Sequence, residues 1–345
     1  MSPMSSPLAL GGGVPLPSVP ELEPSEAVRS ASRVLRNVLL AFVAALLALY
    51  AGFHAYVAWK LAHPDVAPLA SNPMLAKNLP YEDIAFFSAD GKTLLDGWWI
   101  PAKDDSRRSI VLSHGYGTNR EESWVPMYDL ADLIHGLGYN VLMFDYGYAS
   151  AKQRLPATGG VLESQQLLGA IHYARERGSD ELIVWGFSMG AGTALQAALQ
   201  HAPVDAMILD STFLVSDETL VYNLVHSGLK LPKYPTVNLV KWFLPLVSGT
   251  AIDKVPAAQA QDTPFDFPVF LIHGTADRKA PAYLAENVAK AQTNPYTQLW
   301  IVNGAIHEMI FRTHTQEYIA RATAFLGEDH AETAAKRLQL QSLDV

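Results

Sequence analysis

The chain contains no cysteine, which excludes disulfides, thiolate-bound zinc and a cysteine nucleophile together. It also lacks a basic excess. Its 25 lysines and arginines stand against 34 aspartates and glutamates, giving a formal net charge of -9, so it offers no electrostatic footprint for nucleic acid. Long apolar runs are nearly absent, and the single exception organises the N-terminal part of the chain. None of the 11 histidines is assigned to a metal, and no cofactor is expected. At 345 residues the chain is long enough for one large α/β domain or two small ones.

The exception is Val38–Trp59, 22 residues without a formal charge, about the length a helix needs to cross the hydrocarbon core of a bilayer. Tyr50, Tyr56 and Trp59 gather toward its far end, where aromatic rings favour the membrane interface. A buried helix of a soluble protein and a cleaved signal peptide are the rivals. The run exceeds the usual signal-peptide core and no A-x-A cleavage site follows, so an uncleaved signal anchor over residues 34–60 is predicted. Arg29, Arg33 and Arg36 precede the span and Lys60 follows it closely. The positive-inside rule then predicts a single-pass protein with a cytoplasmic N-terminus and the remaining chain beyond the membrane. Residues 1–33, rich in Pro, Ser and Gly and without apolar periodicity, are expected to form a flexible tail. Residues 61–80, with four prolines between Ala62 and Pro80, are expected to form a linker that lifts a domain off the bilayer.

From Tyr81 the character changes. Ile84–Phe87 and Leu94–Ile100 read as a hairpin around Asp90-Gly91. Further strands are expected at Ser109–Ser113, Asn140–Tyr146, Leu182–Trp185, Ala206–Asp210, Val269–His273 and Gln298–Val302, with helical patterns at Val125–Leu137, Val161–Arg177 and Ala191–Gln200. Strands alternating with helices predict an α/β fold, a mostly parallel sheet with helices on both faces over residues 81–326. In such sheets the site lies at the carboxyl ends of the strands.

The stretch Glu181–Gln200 carries the strongest chemical signal. Gly186-Phe187-Ser188-Met189-Gly190 is a G-x-S-x-G between an apolar strand and a helical pattern. A turn that tight throws the serine outward, and glycine removes the collisions flanking side chains would make. It also sets Ser188 at a helix N-terminus, where negative charge is stabilised. An alcohol needs a base, and the base an orienting carboxylate. Asp277, after the strand Val269–His273, and His307, after the last strand, follow Ser188 in the order expected for such an elbow. Asp210 competes with Asp277 because it too closes a strand, and His314 is the substitute for His307. Two backbone N–H donors for an oxyanion are expected from Met189, directly after the serine, and from Tyr116 in the loop His114-Gly115-Tyr116-Gly117. His114 and His273 are expected to shape their turns.

These pieces together resemble the α/β-hydrolases, within the group of single-span, membrane-anchored serine hydrolases. The resemblance runs from about Tyr81 to Leu326 and rests on HGYG at His114, GFSMG around Ser188, LDS at Asp210, HGTAD ending at Asp277 and GAIH ending at His307. It implies Ser188 as nucleophile, Asp277 as acid, His307 as base, and Tyr116 and Met189 as oxyanion donors. The chain departs from the family pattern after Asp145-Tyr146, which continues Gly147-Tyr148-Ala149 without the usual arginine. Residues 212–266 occupy the place of a lid or cap. Their apolar residues, Phe213, Leu214, Leu220, Tyr222, Leu224, Trp242, Phe243 and Leu244, are expected mostly to pack the core, the remainder lining an acyl pocket. The function implied is hydrolysis of an acyl ester or thioester with a lipid or acylated substrate. The alternatives are a serine peptidase of the same fold and an inactive membrane-tethered binding protein. Residues 327–345 are expected to form a tail with a short helix at Ala331–Leu340.

Overall fold

The structure is a computed structural model that describes residues 26–327. The expected helix at Ala331–Leu340 and most of the expected N-terminal tail lie outside the described residues. The chain divides into two units, residues 1–50 and 51–345. Helix α1 (Glu26–Ala62) contributes the described part of the first. It begins inside the stretch expected to be a tail, because residues 26–33 carry no proline or glycine to interrupt a helix. It stops two residues before Pro64, whose ring disfavours a helical residue ahead of it. The helix is long and apolar enough to cross a membrane, with a mean hydropathy of 2.2. Val38, Leu39, Leu46 and Leu47 are exposed.

The second unit opens with the last turns of α1, where His54, Ala58 and Ala62 are fully buried, four residues apart on one helical face. The segment after it is no free linker. Pro64, Val66 and Leu79 are buried, and α2 (Pro73–Lys77) is capped by the Asn72 side chain. The Asn119 amide donates to the Ala67 carbonyl (2.8 Å), and the Glu121 carboxylate accepts from the backbone N–H groups of Ala70 (2.5 Å) and Ser71 (2.6 Å). Proline-rich composition predicted an extended spacer, but a single carboxylate that satisfies two otherwise orphaned amides fixes it to the domain.

Eight strands form one sheet in the order β1-β2-β4-β3-β5-β6-β7-β8. The first two, β1 (Glu82–Phe87) and β2 (Leu94–Ile100), pair as the expected hairpin, Phe87 opposite Leu94, and β2 runs antiparallel to β4. The rest, β3 (Arg108–Ser113), β4 (Asn140–Phe144), β5 (Glu181–Phe187), β6 (Ala206–Asp210), β7 (Val269–Gly274) and β8 (Gln298–Val302), are parallel.

The central strands are apolar at nearly every position because both faces are covered. Leu182 and Val184 of β5 join the core beneath α4 (Val161–Glu176) and α5 (Met189–Ala198). Ile183 and Trp185 join the opposite core with α3 (Met127–Gly136) and the helical residues 315–327, through Ile134, Tyr318 and Phe325. This alternation is the period of a strand sandwiched between two helical layers.

Three helices, α6 (Asp217–His226), α7 (Lys233–Ser248) and α8 (Ala257–Asp262), are inserted between β6 and β7. After β7 comes α9 (Tyr283–Ala291), and after β8 come α10 (Ile310–Thr313) and the helical residues 315–327.

Candidate active site

Between β5 and α5 the chain turns at Ser188, whose φ of 50° and ψ of -116° lie where side-chain-bearing residues are rarely found. The turn demands glycine on both sides. A Cβ on Gly186 would lie 2.7 Å from the α-carbon of Ala191, and one on Gly190 only 2.1 Å from the Ser113 carbonyl oxygen. Hydrogen bonds hold the strained residue: Ser188 N–H donates to the Asp210 carbonyl (2.9 Å), and the Ser188 carbonyl accepts from the amide of Phe213 (3.0 Å). Met189 is the first residue of α5, so its N–H, like other first-turn amides, has no acceptor within the helix.

Strands β7 and β8 bring the other two polar groups to the serine. His307 Nε2 is 2.8 Å from Ser188 Oγ, and His307 Nδ1 is 2.5 Å from Asp277 Oδ2. The loops bearing them are tied together. Gly304 N–H donates to Thr275 Oγ1 (2.8 Å) and Ala276 N–H to the Ala305 carbonyl (3.0 Å). The second oxygen of Asp277 accepts the amides of Lys279 (2.7 Å) and Ala280 (2.9 Å), which orients the carboxylate. His273 Nε2 stands 3.3 Å from Asp277 Oδ2 and 3.0 Å from the Ala280 carbonyl. Burial works against ionisation of Asp277, but hydrogen bonds from His273 and His307 outweigh it and hold the carboxyl well below its ordinary range.

The two substitutes lie elsewhere. Asp210, the last residue of β6, turns inward and accepts from Ser211 Oγ (2.8 Å), and burial pushes its carboxyl up to about 6. His314 bonds Thr313 and meets the edge of the Trp300 ring.

The loop after β3 is braced from below. His114 is buried and pushed down to about 4 by desolvation, hence neutral. Its Nε2 accepts from Tyr146 N–H (3.2 Å) and its Nδ1 faces the Gly115 carbonyl (2.9 Å). Tyr146 and Tyr148 reach Ser113 Oγ (2.6 Å) and the Gly115 carbonyl (2.7 Å) with their hydroxyls. No arginine directly follows Asp145-Tyr146, and Asp145 is met instead by Arg120. Its guanidinium and backbone N–H both meet Asp145 at 2.8 Å, and it lies over the Trp98 ring.

Sequence reasoning missed a second acidic group here. Glu122 accepts from Gly115 N–H (3.0 Å), and Glu308, next to His307, accepts from Trp124 Nε1 (2.6 Å). Both are buried. The adjacency of Glu308 to His307 was the one available signal.

Ser188, Met189, His307 and Tyr116 border a cavity of about 260 Å³. Phe213, Leu220 and Leu244 from the inserted segment line it, as does Leu61 from the end of α1. Core packing therefore takes less of the insertion than expected. Leu214 is fully buried, whereas Trp242 is 65% exposed. Among the described residues no cluster of His, Cys, Asp and Glu has the makings of a metal site.

The comparisons with known proteins agree with this fold. A family model described as alpha/beta hydrolase fold matches residues 108–246. The uncharacterized protein YfhR of Escherichia coli (strain K12) is 24% identical over 254 residues, covering 71% of this chain and 80% of that protein. The uncharacterized protein Rv2307c of Mycobacterium tuberculosis (strain ATCC 25618 / H37Rv) is 27% identical over 235 residues, 67% of this chain and 74% of that one. Among solved structures, the Pyrococcus furiosus esterase Pf2001 superposes with a TM-score of 0.62 at 24% identity, covering 78% of this chain and 98% of that one. Est1E from Butyrivibrio proteoclasticus gives 0.55 at 18% identity, over 72% of this chain and 99% of that one. From the strained serine turn to the strand order, this chain has the α/β-hydrolase fold.

Proposed function

We propose that the protein is a membrane-anchored serine hydrolase that cleaves an acyl ester or thioester. The reading is carried by one observation: a serine held at φ 50° lies 2.8 Å from a histidine that is itself 2.5 Å from a buried carboxylate, beside an apolar cavity. His307 takes the Ser188 proton on Nε2 as Oγ attacks the carbonyl carbon. Asp277 accepts from Nδ1–H and stabilises the imidazolium. The amides of Met189 and Tyr116 receive the developing oxyanion. The tetrahedral adduct collapses to an acyl-serine as the alcohol or thiol leaves with the proton from His307. Water, deprotonated by the same nitrogen, then releases the acid and restores Ser188.

Anchoring through α1, with the N-terminus cytoplasmic and the hydrolase beyond the membrane, is supported by three arginines before the apolar run. Lys60, after it, pairs with Asp65. The substrate in this reading is an acylated, lipid-like molecule. Leu61 of α1 lines the cavity, and the inserted helices present Tyr234, Trp242 and Leu246 to the exterior, each at least 65% exposed. Aromatic and aliphatic side chains so displayed suit a bilayer interface.

The test is labelling of the full chain in membranes with a fluorophosphonate, which captures an activated serine without assuming a substrate. Labelling should occur in wild type and vanish in Ser188→Ala. Labelling that survives in the variant rejects Ser188, and none in folded wild type rejects the hydrolase in favour of a binding protein.

A further inference from the structure

The Glu122–Glu308 pair has no part in the steps above, yet it sits between the two loops those steps require. Glu122 Oε2 accepts from Gly115 N–H at 3.0 Å, and Glu308 Oε2 accepts from Trp124 Nε1 at 2.6 Å. The remaining two oxygens, Glu122 Oε1 and Glu308 Oε1, are buried without a donor. They converge on one spot, since a Cβ built on Gly115 would lie 2.6 Å from Glu308 Oε1 and 3.1 Å from Glu122 Oε1. As carboxylates both would be orphaned acceptors repelling each other in a low dielectric. One proton between them satisfies both.

We propose that Glu122 and Glu308 share a single proton, and that the resulting O–H···O bond fastens the loop of Tyr116 to the loop of His307. They are positioning residues. Glu122 sets the 114–115 peptide and so the direction of the next amide, that of Tyr116. Glu308, itself at φ 57° with its N–H on Ser211 Oγ (2.9 Å), anchors the backbone beside His307. This inference rests on the serine-hydrolase reading.

The surroundings favour the shared proton. Burial pushes Glu122 up to about 7, with hydrogen bonds from Gly115 N–H and Glu308 acting against it, and pushes Glu308 well above the ordinary range, where Glu122 raises it further; Asp210 at the end of β6 raises both. His307, whose Nε2 is 3.7 Å from Glu308 Oε2, acts in the opposite sense. The Tyr148 phenol is near Glu122, and the Arg312 guanidinium is engaged by the carbonyls of Ser123 and Trp124. The pair therefore holds its proton at acid and neutral pH and releases it on the alkaline side. Two ionised carboxylates then push the loops apart.

The measurement is the rate of fluorophosphonate labelling of the full chain against pH for wild type, Glu308→Gln and Glu122→Gln. Either glutamine supplies an amide N–H where the shared proton was and cannot release it. Wild type should lose about tenfold in rate per pH unit above the release point, whereas both variants stay flat over that range, judged by the shape of the profile rather than its height. Urea midpoints against pH, measured alongside, should fall more steeply in wild type than in either variant from about pH 4 up to the release point and run parallel above it. An alkaline limb identical in wild type and both variants overturns the shared proton. Absence of labelling in wild type at every pH instead refutes the hydrolase reading, and the positioning role with it.

Discussion

Replacing Ser188 by glycine should leave a more stable protein than replacing it by alanine, by at least the few tenths to about 1 kcal/mol that separate the two at an ordinary helix N-cap. Both variants lose the hydroxyl and its bond to His307, so their difference isolates the Cβ. At φ 50° and ψ -116° a residue bearing a Cβ stores strain on the order of 1–3 kcal/mol. Glycine relieves it at a cost of about 0.5–1 kcal/mol in extra unfolded-state entropy. The balance favours Ser188→Gly by up to about 2.5 kcal/mol, with a central value of about 1 kcal/mol, or roughly 2–4 °C in Tm for a domain of this size. The assay is unfolding of the full chain in detergent, with urea midpoints alongside the thermal scan in case heating is irreversible. Both variants should fail to react with a fluorophosphonate. A Ser188→Ala protein as stable as Ser188→Gly, or more so, would mean that the turn carries no strain.

Two further substitutions probe the packing and charge around that turn. Gly190→Ala drives a methyl to 2.1 Å from the Ser113 carbonyl oxygen, an overlap of two backbones that side-chain motion cannot relieve. It should lose about 1–3 kcal/mol and slow labelling on the order of 100-fold by displacing Met189 N–H, the proposed oxyanion donor. Gly136→Ala, with nothing within 4 Å, should be neutral or slightly stabilising, and equal losses in both would remove the steric argument. Burial pushes the Asp210 carboxyl up to about 6, above the ordinary carboxylate range. The native state thus keeps a proton the unfolded chain has lost, and wild-type stability should fall as pH rises from about 4 to 6. Asp210→Asn should reduce that fall by about 3 kcal/mol at most, leaving the share of the Glu122–Glu308 pair, in urea midpoints compared at pH 4 and pH 6. A parallel pH dependence in the variant would place the titration elsewhere.

Much of this architecture was legible because its signals are local. The sheet announces itself through short apolar runs, the hairpin through Asp90-Gly91, and the serine turn through two glycines four residues apart. Ser188, Asp277 and His307 each follow a strand, so the topology alone carries them to one edge. Asp210 and Asp277 looked equivalent for the same reason. Asp277 lies past the end of β7, free to reach sideways, whereas Asp210 is still within β6 and faces the interior. Contacts between distant polar residues left no trace. Glu122 and Glu308 are 186 positions apart, and Arg120 meets Asp145 from a different loop, so neither pairing produces a periodicity or a motif. The segment before Tyr81 misled in another way, since its prolines suggested an extended spacer and the acceptors that fix it, Glu121 among them, come later in the chain.

That segment bears on how such a protein is controlled. The Tyr116 hydroxyl donates to the carbonyl of Leu61 (2.8 Å), Ala157 N–H donates to that of Ala62 (2.7 Å), and Leu61 forms part of the cavity wall. A surface hydrolase on an ordinary stalk is shed intact when a protease cuts the stalk. Here a cut between Ala62 and the domain would detach Leu61, and with it a wall of the cavity and the partner of the Tyr116 hydroxyl. Under the proposed anchoring through α1, shedding by such a cut and loss of the proposed activity would be the same event.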